Sequence, residues 1–394
     1  MMHSTFIKPR YDSGGFAGIP ARIREHCVAG KYDAVVLFLV DGFGWRFFEK
    51  FQDAPFLKRL TSNGTVEKLT SQFPSTTAAH LTTIHTGVPV GQSGVYEWFY
   101  YEPQLDRIIA PLLFSYAGDD VRDTLKGQVK ATQLFPNQTL YQELGKQGIE
   151  SYVFGMRDYT PSTYSNVVMK GAKQISFKTL PEALINLGRL LENLTNPAYI
   201  HFYFGNIDGT CHEYGPSAPQ TEAEIEAFLL IMEHFFGHVF NSKKNILFLL
   251  TADHGASEVD PKTTIFLNKE ERFKGVERFF KRNQTGDLLV PAGSPRDMFL
   301  HVKDNMLDEA QSILAKGLDG KAEVAKADWL MENGYFGPEI SRKFRARVGN
   351  LVILPYRYES VWWYEKERFV KHFYGNHGGL TPQEMEIPLF ALEI

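Results

Sequence analysis

The sequence comprises 394 residues, 43% hydrophobic and 22% charged, long enough to bury a substantial core without a metal or a disulfide. That balance excludes disordered, collagenous and low-complexity scaffolds. Lys+Arg 42 against Asp+Glu 46 leaves a net charge of −4, which argues against a broad nucleic-acid surface.

The N-terminal stretch MMHSTFIKPRYDSGG lacks the apolar segment of a signal peptide, and no apolar run approaches the ~20 residues that span a bilayer. Two cysteines, Cys27 and Cys211, are too few for a disulfide framework and suit a reducing compartment. The expectation is a soluble, cytoplasmic protein. Its first predicted strand is Asp33–Val40 (DAVVLFLV), continuously apolar and followed by Asp41 in VDGFG. No GxGxxG follows it, which argues against dinucleotide binding there. Helical patterns are predicted over Ala54–Ser62 and Thr77–Thr86, the latter preceded by FPSTT. Gly94–Tyr101 (GVYEWFYY) is densely aromatic, and the irregular stretch 100–136 is placed to cover a cleft.

Further helices are predicted over Gln138–Gln147, Leu180–Leu194 and Thr221–Phe240. Between them lie the apolar runs Glu150–Phe154, Pro197–Phe204 and Asn245–Thr251, and the chain closes on the run Glu386–Ile394. Continuous rather than alternating hydrophobicity suits strands covered on both faces, and the strand–helix alternation predicts an α/β fold with a mainly parallel central sheet. From about 261 to 370 charge rises and Gly/Pro punctuation becomes frequent, which reads as a smaller α+β lobe inserted before the last strand.

In such sheets ligands bind beyond the carboxyl ends of the strands, so the residues just after each run matter most. Asp41 follows the first run, Asp208 and His212 follow Pro197–Phe204, and Asp253–His254 follow Asn245–Thr251. His377, within YGNHGGL, precedes the last strand. Each alone has a structural reading as a cap, a turn former or a satisfied histidine. As a set they place three carboxylates on one edge, where they would repel one another without a cation. Mixed Asp/His ligation suits Zn²⁺, and six such groups suffice for two ions. Ser75, Thr76 and Thr77 open a helix, where unpaired N–H groups and the helix dipole favour phosphate. A threonine hydroxyl becomes nucleophilic once a metal or base lowers its pKa.

The ordered set Asp41, FPSTT, Asp208-x-x-x-His212, Asp253-His254-Gly and Asn376-His377-Gly-Gly resembles the alkaline phosphatase superfamily, and within it the type I phosphodiesterase/nucleotide pyrophosphatase family. The likeness runs from about Val36 to Pro388. It implies an alkaline-phosphatase-like fold of one catalytic domain over 1–394, and two divalent ions, most simply Zn²⁺. Asp41, Thr77, Asp253 and His254 would hold one ion; Asp208, His212 and His377 would hold the other. The resemblance makes Thr77 the nucleophile that attacks phosphorus and forms a phosphothreonine-type intermediate, later released by water. The partner it implies is a small phosphorylated substrate, with nucleotides as candidates, and neither a membrane nor specific nucleic acid.

Two departures bear on substrate choice. The family carries an asparagine near the position of Trp98, and another where His80 stands. His80, Glu97, Trp98 and Tyr100 are therefore the candidate substrate contacts. Monoesterase, phosphonate hydrolase and phosphomutase chemistry remain alternatives on the same metals. A non-catalytic, metal-stabilised binding module is the alternative of another class, and the complete ligand set with its nucleophile argues against it.

Overall fold

The computed structural model describes residues 2–119, 121–240, 244–366, 368–369 and 372–394. Its centre is a seven-stranded sheet of β1 (Ala34–Val40), β2 (Thr65–Thr70), β3 (Glu150–Met156), β4 (Lys173–Phe177), β5 (Ala198–Phe204), β6 (Ile246–Thr251) and β7 (Glu386–Glu393). The spatial order is β2-β7-β6-β1-β5-β3-β4. Strands β6, β1, β5, β3 and β4 pair in parallel, whereas β7 runs antiparallel to both β6 and β2. Every residue of β1 and β6 is buried, as their unbroken apolar runs require.

Helices cover both faces. On one lie α1 (Ile19–Val28), α3 (Thr77–Thr86) and α4 (Leu140–Gly145), packed on one another. On the other lie α2 (Pro55–Asn63), α5 (Leu180–Glu192), α6 (Asn206–Tyr214) and α7 (Pro219–Val239). Between the layers Phe38 stacks on Phe202 at 4.2 Å, and Phe56 and Phe236 close on Phe248. Much of the aromatic excess is core of this kind.

The predicted strands and helices all occur, with Gln138–Gln147 shortened to Leu140–Gly145. Several elements are additions, and three of them shape the central sheet and its edge. β2 (TVEKLT) and β4 (KQISF) form the two sheet edges, where half-exposed strands carry polar residues and lose the continuous apolar signature. Helix α6, for which the sequence carried no helical expectation, sets Asp208 and His212 one turn apart on one face.

A second hydrophobic cluster lies beside the main one. It is built on a three-stranded antiparallel sheet of Met298–Leu300, Leu351–Pro355 and Ala322–Lys326, with helix Leu307–Gly317 packed on it. Phe99 joins that cluster, as do Ala110 and Ala117 from the stretch 100–136, which itself holds a small sheet of Tyr100–Glu102, Arg107–Ala110 and Ser115–Tyr116. Buried ion pairs tie the parts together: Arg347 to Glu102 at 2.6 Å, and Arg296 to Glu384 at 2.8 Å.

Candidate active site

The parallel strands deliver their following residues to one edge. Asp41 leaves β1, Asp208 and His212 ride on α6 beyond β5, and Asp253–His254 leave β6. Because β7 is antiparallel, the residues before it reach the same edge, and this brings in His377. Gly42 makes the approach possible. Its φ is +74°, and a Cβ there would sit 3.1 Å from Asp208 Cα and Cβ. Gly378 has φ +124°, and a Cβ would stand 2.5 Å from Ser294 Oγ.

Thr77 is the first residue of α3, entered from the extended Thr76. Its Oγ1 lies 3.4 Å from Asp41 Oδ2 and 3.2 Å from His254 Nε2. His254 Nε2 is 3.4 Å from both Asp41 Oδ1 and Asp253 Oδ2. Across the cleft His212 Nε2 is 3.3 Å from Asp208 Oδ2, and His377 Nε2 is 3.6 Å from Asp208 Oδ1. The His254 and His377 rings stack with centroids 3.7 Å apart. Ligand atoms of Asp41, Asp253 and His254 lie within 4.8 Å of one another, and so do those of Asp208, His254 and His377. His254 thus stands between the two groups, rather than beside the first alone.

The histidine rings are oriented from behind. His212 Nδ1 donates to Gly375 O at 2.8 Å, His254 Nδ1 to Gly255 O at 3.0 Å, and His377 Nδ1 to Ser75 O at 3.0 Å. A carbonyl only accepts, so each Nδ1 carries the proton and each Nε2 lone pair faces the cleft, the form that binds metals. Tyr203 donates to Asp41 Oδ2 at 2.5 Å, and the Gly42 and His254 N–H groups donate to Asp253 Oδ1. Asp41 Oδ1, Asp208 Oδ1 and Asp253 Oδ2 are buried without a hydrogen-bond partner among the described residues.

The electrostatics agree with the geometry. Burial, then the charges of Asp253 and Asp208, pushes Asp41 well above the usual carboxylate range. Burial and Asp208 push Asp253 up to about 7. For Asp208 burial works upward, but His212 and His377 more than offset it and hold the group low. Orphaned buried carboxylate oxygens and inward imidazole lone pairs are a donor set that divalent cations complete.

The candidate substrate contacts divide. Glu97 and Trp98 line the cleft of about 350 Å3 that opens over Thr77. Glu97 is wholly buried, takes the Trp98 N–H, and is pushed up to about 8 by burial against hydrogen bonds from Trp98, Thr76 and Asp297. His80 and Tyr100 are not in the lining. His80 lies on the fully buried side of α3, with Nδ1 on Thr76 O at 2.7 Å and Nε2 accepting from Gln72 N–H at 2.8 Å, so it pins the helix start. Tyr100 stacks on Tyr96 at 5.3 Å under the Arg347 guanidinium, inside the core. Ser75 supports the His377 segment through its carbonyl and hydroxyl, whereas Tyr203, Arg296 and Glu384 have no counterpart in the sequence reading. Only Tyr203 had a signal, two strand positions beyond the buried His201 and therefore on the same sheet face.

Fold and edge together define a phosphoryl-transfer hydrolase of the alkaline-phosphatase type. The profile of the type I phosphodiesterase / nucleotide pyrophosphatase family matches residues 35–380, and the chain belongs to that family. Its fold is similar to that of murine ectonucleotide pyrophosphatase / phosphodiesterase 5, with TM-score 0.68 and 16% identity over 91% of this chain and 87% of that one. An inactive form of the murine protein in complex with AMP gives TM-score 0.67 at 15% identity, covering 91% and 87%. Phosphonoacetate hydrolase from Sinorhizobium meliloti 1021, in complex with phosphonoformate, gives TM-score 0.63 at 15% identity, covering 92% and 90%.

Proposed function

We propose that the protein hydrolyses a phosphodiester or pyrophosphate bond of a small substrate in two displacements, with Thr77 as nucleophile. One observation carries this reading: Thr77 Oγ1 opens α3 between His254 and Asp41, beside carboxylate oxygens that lack a hydrogen-bond partner among the described residues. Asp41, Asp253 and His254, with Thr77, are the residues to hold one divalent ion; Asp208, His212 and His377 are those to hold the second. The all-N/O donor set suits Zn²⁺. Bound there, such ions lower the pKa of a coordinated hydroxyl and offset charge on the phosphoryl oxygens.

The chain's own groups do the rest. In the first displacement a bond forms from Thr77 Oγ1 to phosphorus and the bond to the leaving oxygen breaks. The hydroxyl proton moves toward Asp41, whose Oδ2 is 3.4 Å away and is held in place by Tyr203. The N-terminal end of α3 presents its dipole to the phosphoryl group. Water in the second displacement returns the threonine and releases phosphate or phosphomonoester.

The test compares bis-p-nitrophenyl phosphate with p-nitrophenyl phosphate, with and without chelator, for the parent protein and Thr77→Ala. Diester turnover should exceed monoester turnover, vanish with chelator, and fall at least about a thousandfold in Thr77→Ala. Equal or faster monoester turnover would move the reading to monoester, phosphonate or mutase chemistry. Trp98 at the family's asparagine position points in that direction. Unchanged turnover in Thr77→Ala would remove Thr77 from the mechanism.

A further inference from the structure

The cleft over Thr77 continues inward, away from the carboxylates. Its inner walls are Leu81, Leu112, Leu113, Val153, Phe154 and Met169. They form one neighbourhood, because helix Thr163–Val168 packs against both α3 and Pro111–Leu113. Among the described lining residues the only Lys or Arg is Arg122, which is exposed and lies over the Tyr159 ring. An arm carrying further phosphates or a carboxylate would find no buried cation there.

The inner end is nonetheless not wholly apolar. His85 lines the cleft and is fully buried; its Nδ1 meets Tyr141 Oη at 2.6 Å, and its Nε2 has no partner among the described residues. His201 stands one layer deeper, with ring centroids 4.8 Å apart, and it is the register partner of the cleft-lining Val153. Both nitrogens of His201, Tyr199 Oη and Ser151 Oγ are likewise buried without partners. Tyr199 pairs in register with Ser151, so these side chains share one face of the sheet. Of these residues only His85 lines the cleft, and an unsatisfied polar atom at the wall of an apolar cleft is what a hydrogen-bonding ligand group would complete. Burial, and for His85 also the neighbouring His201, keeps both imidazoles neutral, so the complement is a neutral group rather than an anion.

Resting on the phosphodiester reading above, we infer that the substrate's organic arm is uncharged and largely apolar, and ends in a neutral hydrogen-bonding group, such as a hydroxyl, that His85 recognises. A hydroxyl both donates and accepts, so it matches either tautomer of His85. His85 is then a specificity-determining residue, remote from the reacting atoms.

The test uses the metal-loaded protein and three series of alkyl phosphates, butyl to decyl, ending in methyl, hydroxyl or carboxylate. Binding is followed by tryptophan fluorescence, since Trp98 and Trp362 line the cleft. At one chain length the hydroxyl-ended phosphate should bind roughly three- to tenfold more tightly than its methyl counterpart, the scale of one neutral hydrogen bond. The carboxylate-ended phosphate should bind more weakly than either. The hydroxyl preference should collapse in His85→Leu and return in His85→Gln. No hydroxyl preference at any length, tightest binding of the carboxylate series, or a preference that survives His85→Leu would overturn the inference. Should His85→Leu not fold, the chain-length series on the parent protein decides alone. Hydrolysis of methyl p-nitrophenyl phosphate reports separately on the diesterase reading. If it is absent while the hydroxyl preference persists, that reading falls and the assignment of the inner cleft stands.

Discussion

Two sets of histidines, one at the strand-end edge and one where α3 meets β5, differ in what holds them. At the edge, His212, His254 and His377 each place Nδ1 on a backbone carbonyl. In the interior, His85 Nδ1 meets a tyrosine hydroxyl, and His201 has no partner on either nitrogen among the described residues. A carbonyl fixes the tautomer and leaves a defined lone pair; a hydroxyl can donate or accept and fixes neither. The orienting atom behind the ring, rather than burial or proximity to acids, separates rings preset to hold a cation from rings suited to a neutral ligand.

The largest expected effect tests whether the edge depends on what lies beneath it. Arg296 and Glu384 are both fully buried and joined by two hydrogen bonds of 2.9 and 2.8 Å, and Glu384 also takes the Gly379 N–H and the Thr381 hydroxyl. Glu384 therefore anchors the segment that carries His377. Arg296→Met strands a buried carboxylate and should cost about 3–5 kcal/mol in urea denaturation. Adding Glu384→Gln should recover part of that loss. A single-variant loss below about 1 kcal/mol would show that the segment is held otherwise.

A second test separates the interior set by pH. Burial drives His201 down to about 3 and His85 well below 6.5, so neither takes a proton in the folded state near neutrality. The unfolded chain does take protons below about 6.5, which means stability falls as pH drops from there toward 3. Between pH 7 and 5 each such imidazole should cost on the order of 2 kcal/mol. Urea midpoints at pH 7, 6 and 5 measure this, and His201→Phe should flatten the slope. An unchanged slope in that variant would mean His201 is already charged in the fold.

The smallest expected effect joins the regions. Tyr203 lies on the same β5 face as Tyr199 and His201, yet its hydroxyl serves Asp41. Tyr203→Phe should weaken cation binding about tenfold in competition with a chelating dye, with little change in the pH slope. Unaltered affinity would place Asp41 under the control of the cation and its neighbours alone.

Asp41, Asp208, His212, Asp253 and His254 were legible because each follows an unbroken apolar run, and β1, β5 and β6 are buried in the sheet; His377 and Thr77 rested on their local motifs. The rest was hidden for physical reasons. β2 and β4 sit at sheet edges and carry polar residues, so no apolar run marks them. The direction of β7 leaves no trace in its composition, since an antiparallel strand buried between neighbours is as apolar as a parallel one. His80 and Tyr100 share Thr77's neighbourhood in sequence but turn into the core, and nothing local distinguishes them from Glu97 and Trp98. His85 escaped notice because its role depends on Val153 and His201, which only the folded sheet brings beside it.

The reversed direction of β7 also orders events in time. Until β7 docks against β6, the segment that carries His377 is not anchored beside Asp208, and the edge holds carboxylates that repel one another. Under the two-ion assignment proposed above, tight capture of a second cation would signal that β7 has docked. In a newly made or refolding molecule, metal uptake should lag behind formation of the parallel sheet, and a chain with an undocked tail should stay catalytically silent until that strand pairs.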